Sequence, residues 1–520
     1  MIRSLTNSLL SGRKNTVNYV RRNYQLTSTK ASGIDQDQVK LKTLKEIPGP
    51  KEYPIIGCLL EYGKHDRKQH LWFKELQKKH GDVVRLNILG NDIIFLFNPE
   101  YTRKMYASDS PTRPTPYIDA FDHWCWYRNV RRKERYPDGN AGVVGSYLDI
   151  WKEQRSAVNP DIMRKSSALY YVPQLDEITS DCVDRIAETR DDKNEIRNAI
   201  PTYMYSYGFE ATCKLFLDVR MGALEPGELD PTCAKFIAMS KQMNDISRLL
   251  ARSKLWKYFD TPTYKKFDEA CTFIYDESSV HIKAAIKRLK DNKEDEDKPR
   301  DQWSVLHKMV DKFGEDSTIP VVMSTDAVLG GVDTTGFTSS FLLYHLANNP
   351  LKQEKAIEEV DRLFEGGKIT QEKFSQLCYI KACLMESQRM GPAASSSVRR
   401  IQSDITVGGY LIPKGSQVVN SIYVNGQNPK NFPEPDKFLP ERWLRGHPDE
   451  SKAHKFAHIP FGFGPRSCLG KRFAEVEAQA VAVKMLQRFR MEFHDDPVSF
   501  SFHFANSVDR DMRIRLIERS

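Results

Sequence analysis

The sequence predicts a mainly α-helical fold with small β-sheets, on three observations. Most of the chain from about Tyr101 to Asn349, and again through Arg389, repeats its apolar residues at helical spacing. One early segment, VVRLNILGNDIIFLF, reads as two strands turning at Gly90 and Asn91. A β-rich, proline-punctuated stretch then runs to about Trp443, followed by one more strong helix over Leu469–Phe489 and a closing set of short strands. The chain has 520 residues, 40% of them hydrophobic, enough for one large core or two ordinary ones. A charged fraction of 28%, with aromatic residues spread throughout, excludes a disordered or fibrous protein. No internal repeat and no long linker divides it, so residues 36–520 are expected to form a single domain.

The elements follow in order. The first thirty residues carry Arg3, Arg13, Lys14, Arg21, Arg22 and Lys30 among Ser, Thr and Asn, and no acidic residue occurs before Asp35. That composition predicts a mitochondrial transit peptide over residues 1–35. IPGPKEYPIIG at Ile47 to Gly57 is too rich in proline for a helix and predicts an extended segment where the folded body begins. HLWFKELQKKHG predicts a short helix ending at Gly81, and the hairpin comes next. The helical pattern is expected to break at FDHWCWYRNVRRKER, and at the charged run KRLKDNKEDEDKPRD, Lys287 to Asp301, read as a solvated loop.

The net charge of +9 admits nucleic acid, an anionic membrane or an acidic protein as partner, but the excess is modest against 78 basic and 69 acidic residues. Nine cysteines, an odd number without repeating spacings, do not form a secreted disulfide framework and point to a reducing compartment. Most read as small buried side chains. No run of roughly 18 apolar residues exists to span a bilayer.

Cys468 is the exception among the thiols. FGFGPRSCLGKRFAE, Phe461 to Glu475, is a Gly-rich turn leading into a helix marked by Phe473, Val476, Ala480 and Val483 at helical spacing. Cys468 therefore stands at a helix N-terminus, where unpaired N–H groups and the helix dipole favour a thiolate. This segment resembles the haem-binding signature of the cytochrome P450 family. The resemblance implies that Cys468 is the axial ligand of the iron of heme b, that Phe461 shields the sulfur, and that Arg466 pairs with a haem propionate. Gly464 and Gly470 would permit the turn and a close approach to the porphyrin.

Other parts of the family pattern stand upstream in order. Glu386 and Arg389 lie one helical turn apart in IKACLMESQRMGP, and FLPERW supplies Arg442; in the family such a set makes a buried network beneath the haem. VLGGVDTTGFTSS, Val328 to Ser340, is similar to the oxygen-activation motif. There Gly330 and Gly331 would weaken the helix and open a groove, with Asp333 and Thr334 as the proton-relaying pair. WKEQR sets Trp151 and Arg155 on one helical face, matching the family's propionate-binding W-x-x-x-R, and Arg399 falls at a second propionate position. His458, near the loop, reads as structural. The implied fold holds the haem between the long oxygen-binding helix and the helix after the Cys loop.

The leader, YIKACLMES and GYLIPKGSQVV resemble the animal mitochondrial branch. That branch implies a monomer on the matrix side of the inner membrane in peripheral contact with it, fed from NADPH by a ferredoxin reductase and a small acidic, adrenodoxin-like ferredoxin, with no nucleic-acid partner. Lys381, Lys471 and Arg472 are the candidate docking residues. Met385 replaces a usual basic residue, and Gln388 and Gly391 depart from usual apolar and aromatic ones. The pocket is expected from Phe121–Tyr127, Ala238–Leu250, the centre of the Val328 helix and Ala393–Ser397, which suits a bulky hydrophobic substrate such as a steroid, sterol, fatty acid or xenobiotic. A haem-thiolate isomerase or dehydratase, a silent haem-binding protein, and a location on the endoplasmic reticulum stand as alternatives.

Overall fold

The longest apolar run of the chain winds into the central helix, Thr318–Ala347, opened by Ser317, whose side chain accepts from the Ile319 N–H. This computed structural model describes residues 41–109, 122–136, 142–146, 148–251, 254–291 and 300–519; the expected leader, residues 1–35, lies outside the described residues. Lys42–Ser520 forms one unit in which helices Ala199–Leu217, Pro262–Asp291, Tyr379–Met390 and Lys471–Arg488 pack on the central helix. Glycine makes the approach of Ala199–Leu217 possible. A Cβ on Gly331 would stand 2.1 Å from Thr212 Oγ1, a distance no packed pair tolerates.

The sheets sit at the margins. Helix Gln69–His80 stops at Gly81, whose φ of 90° only glycine adopts easily. Strands Val83–Ile88 and Asn91–Leu96 then pair antiparallel around Leu89 and Gly90, both with positive φ, as a tight two-residue hairpin turn requires. Asn91–Leu96 continues parallel to Gln417–Ser421, which pairs antiparallel with Ser396–Arg400, giving a four-stranded sheet from both ends of the chain. A three-stranded sheet joins Glu195–Arg197, Arg513–Glu518 and Phe489–Phe493. These long-range pairings have no local signal in the sequence.

The mainly helical architecture with small sheets is as expected, with two local corrections. The aromatic and basic stretch does not break the helical pattern: Asp122–Trp126 is α-helical, Tyr127–Arg131 continues as a π-helical turn, and Lys133–Arg135 is a 3-10 turn. Its arginines are absorbed by carboxylates on other helices, Arg128 by Asp326 and Arg132 by Asp268, so basic residues do not force it into solvent. The charged run Lys287 to Asp301 begins inside a helix, since Pro262–Asp291 extends through its first five residues; positions 292–299 lie outside the described residues. All nine cysteines are free, and only Cys378 and Cys468 are exposed. Among the described residues no helix is long and apolar enough to cross a membrane.

Candidate active site

The Cys loop closes on itself: the Cys468 N–H donates to the Phe461 carbonyl (2.9 Å) and the Ser467 N–H to the Gly464 carbonyl (3.0 Å). Gly462 and Gly464 take φ of 69° and 77°, the left-handed conformation that makes so short a turn possible. Gly470 then caps helix Lys471–Arg488. Cys468 thus stands two residues before the Gly470 cap, close to the helix start but not at it, because the helix begins at Lys471 and not at the expected Leu469. The residue is exposed, yet protein surrounds its sulfur so densely that burial pushes the thiol above its ordinary value. The Gly470 N–H, Arg155 and Lys471 pull the other way and are outweighed. A metal bound at this sulfur would favour the thiolate against that burial.

Three further groups expected to face a cofactor gather around this loop. Arg155 Nη2 donates to the Ser467 carbonyl (2.8 Å). Arg466 lies 4.2 Å over the Trp151 ring and donates to the carbonyls of Val143 and Ser146, each at 3.2 Å. Trp151 is buried, and its indole Nε1 meets no acceptor among the described residues. A buried indole N–H under one guanidinium group, with a second guanidinium bonded to the same loop, fits an anionic carboxylate. A soft sulfur donor at the neighbouring helix start fits iron. These residues fit heme b.

Arg399 stands apart from this group. It is buried and pairs with Asp109, Nε to Oδ2 at 3.0 Å, under the Tyr106 ring, whereas Arg400 turns outward to the Gly415 carbonyl. The inward residue of the Arg399–Arg400 pair is thereby fixed. His458 packs against Trp443 (4.6 Å between rings), and burial drives its pKa down to about 3.

The central helix presents one open stripe. From Val321 to Ala347 every residue is buried except Asp326, Ala327, Gly330, Gly331 and Thr334, which recur at helical spacing on a single face. The two glycines have different tasks: a Cβ on Gly330 would meet nothing, whereas Gly331 allows the close approach of Thr212. The helix is continuous through both, so the expected local weakening at the pair is not seen, although both glycines lie on the open stripe. Asp333 and Thr334 also diverge. Thr334 Oγ1 donates to the Gly330 carbonyl (2.5 Å) along the open stripe. Asp333 turns to helix Pro231–Leu250, accepting from Ser240 Oγ (2.9 Å) and Asn244 Nδ2, and burial lifts its pKa to about 6 against those donors. Thr335 Oγ1 donates to Glu477 Oε2 (3.0 Å), joining the central helix to the Cys468 helix; burial lifts Glu477 to about 7. No sequence pattern marks Glu477, Ser240 or Asn244, because their partners are distant in the chain.

The expected ionic set does meet. Arg389 makes two parallel bonds to Glu386, both 2.9 Å, and Arg442 Nε reaches the same carboxylate at 3.2 Å. Trp443 Nε1 (2.9 Å) and the Leu439 N–H (3.0 Å) complete its shell. The helix carrying Glu386 is itself held at its start by Glu359, which accepts the N–H groups of Cys378, Tyr379 and Ile380. Gln388 is buried, and Gly391 has a steric reason: a Cβ there would lie 2.2 Å from Phe341 on the central helix. Lys381 is exposed. Lys471 and Arg472 are partly spent on Glu475, at 3.8 and 3.3 Å. Of the expected pocket, Phe121 lies outside the described residues; Asn506 of the C-terminal hairpin, which the sequence does not announce, bonds the Pro392 carbonyl and Ser395.

Fold and site together define a haem-thiolate oxidoreductase. The profile described as Cytochrome P450 matches residues 47–510, and the chain belongs to that family, a family of monooxygenases that bind haem iron through a cysteine thiolate. Among its relatives is "Probable cytochrome P450 49a1" of Drosophila melanogaster, 28% identical across 90% of this chain and 82% of its own length. "Probable cytochrome P450 301a1, mitochondrial" of the same fly is 28% identical across 91% and 86%. "Cytochrome P450 CYP12A2" of Musca domestica is 29% identical across 90% and 89%.

Proposed function

We propose that this chain is a mitochondrial monooxygenase that takes two electrons from a small acidic ferredoxin, itself reduced from NADPH by a ferredoxin reductase, and hydroxylates or epoxidises a bulky hydrophobic substrate of the steroid, sterol, fatty acid or xenobiotic class. The carrying observation is Cys468 at the tight loop before its helix, with Trp151, Arg155 and Arg466 gathered beside it. Residues 1–35 serve as the transit peptide in this reading, and several relatives carry the word mitochondrial in their names.

Bound haem supplies oxygen activation, and its thiolate ligand pushes electron density to favour O–O cleavage, a known property of the cytochromes P450 as a class. The protein's own residues do the rest. Trp151, Arg155 and Arg466 hold the propionates. Arg399, buried and held by Asp109 apart from that group, is the second propionate-binding residue in this reading. Phe461 keeps water from the sulfur, and Glu386, Arg389 and Arg442 brace the floor. Asp333, whose pKa burial lifts to about 6, exchanges protons, and Thr334 orients water along the open stripe. Lys381, Lys471 and Arg472 steer the ferredoxin. Exposed Leu255, Tyr258 and Phe259, beside Lys254 and Lys257, suit peripheral contact with the inner membrane facing the matrix.

Reconstitution tests the reading. Oxidation of a hydrophobic test substrate that requires NADPH, reductase and ferredoxin supports it; equal turnover on a hydroperoxide without any electron donor contradicts it.

A further inference from the structure

We infer that Phe463 is the apolar anchor on which the ferredoxin docks; this rests on the ferredoxin reading above. Phe463 stands at the tip of the Cys468 loop, between Gly462 and Gly464. The left-handed conformation of both glycines turns the intervening side chain outward, and Phe463 remains 49% exposed. It is not a loose surface residue. Its ring packs on Phe456 at 4.7 Å and edge-on to Tyr106 at 5.8 Å, and Tyr106 is fixed in turn by a 2.7 Å hydrogen bond between its hydroxyl and Ser397 Oγ. An aromatic ring mounted this rigidly loses little entropy on contact, which is the character of interface hot spots.

The surroundings select the occupant. Lys455 is exposed beside Phe456, Lys471 lies 5.6 Å over the Phe461 ring, and Arg472 follows it. That rim is basic and suits an acidic protein. The charge is nevertheless diluted, since Glu475 bonds both Lys471 and Arg472 and Met385 is neutral. A docking face with diluted charge needs an apolar contribution to reach useful affinity, and Phe463 supplies it on the loop that carries the thiolate, where the electron must arrive. One ring is too small to seat a stable second copy of the chain, which needs an interface of roughly 1,600 Å²; it suffices for the small, short-lived contact of an electron carrier.

The test uses the haem-loaded full chain and a purified small acidic [2Fe–2S] ferredoxin, measuring the rate of haem reduction against ferredoxin concentration at several salt concentrations. Phe463→Ala is expected to raise the half-saturating concentration about tenfold, with the salt slope unchanged and the reduced carbon-monoxide band intact. Phe463→Gln, which keeps much of the side-chain bulk but removes the apolar ring, should raise that concentration similarly and stands in if the alanine variant loses its haem, whereas Phe463→Leu should restore most of the affinity. Glu475→Gln should move the other way, lowering the half-saturating concentration and steepening the salt slope, because it releases Lys471 and Arg472. Equal half-saturation in parent and Phe463 variants overturns the anchor while leaving the ferredoxin reading intact. A parent reduced by dithionite but not by ferredoxin overturns both.

Discussion

Single residues carry the chemistry, and burial decides their charge. Asp333 has a pKa lifted to about 6 although Ser240 and Asn244 donate to its carboxylate. Removing a donor to the charged form raises an acid further. Asn244→Ala should therefore shift the acidic limb of the pH profile of NADPH-dependent turnover upward, and an unmoved limb would show that Asp333 does not carry the proton. Asp333, Thr334 and Cys468 each sit in a short local pattern, which is what singles them out in the sequence. Their orientation was not legible. Adjacent helical positions point about 100° apart, so neighbours in sequence face different partners, and the donors to Asp333 stand on another helix. Arg399 and Arg400 make the same point: alternation along a strand sends one inward, but only the pairing with Asp109 says which.

At the scale of elements, close packing sets what each position tolerates. On the central helix Gly331 and Gly330 should respond oppositely to alanine. Gly331→Ala drives a Cβ into Thr212 and should lower stability by about 1–3 kcal/mol. Gly330→Ala meets nothing and gains helix propensity of up to about 1 kcal/mol. Melting temperatures of the two variants check the contrast; a common direction would contradict it. The helix of Glu386 rests on a fully buried ion pair, so Arg389→Ala, which strands a charge, should cost about 3–5 kcal/mol and deplete the haem-loaded protein. The first hairpin and the stop at Gly81 were readable from the residue pattern, but the turn was expected at Gly90 and Asn91 and falls one residue earlier, at Leu89 and Gly90, because Asn91 pairs with Ile88. The four-stranded sheet was not readable, since it joins residues 91–96 to 417–421 and no local pattern encodes a partner so distant. The aromatic and basic stretch misled for the same reason: Asp268 and Asp326, far along the chain, make its arginines compatible with a helix.

The whole molecule is tied by the contact between the central helix and the Cys468 helix, where Glu477 is buried with Thr335 as its hydrogen-bond donor. Its pKa rises from 4.5 to about 7, so the folded state holds that proton more tightly than the unfolded chain. The associated stability is present below about pH 4.5 and is lost as pH climbs to about 7. Glu477→Gln should remove a pH-dependent loss on the order of 3 kcal/mol, so its melting temperature should fall less than the parent's between pH 5 and pH 8. Family membership and the haem itself were legible from several motifs standing in order, because the fold needs all of them at once. Everything above turns on ligation of the haem iron by Cys468, and the absorption spectrum of the reduced carbon-monoxide complex tests it most directly. Such ligation predicts a strongly red-shifted Soret band in the parent that Cys468→Ser abolishes; a band typical of histidine-ligated haem in a well-folded parent, or one unchanged in the variant, would contradict it.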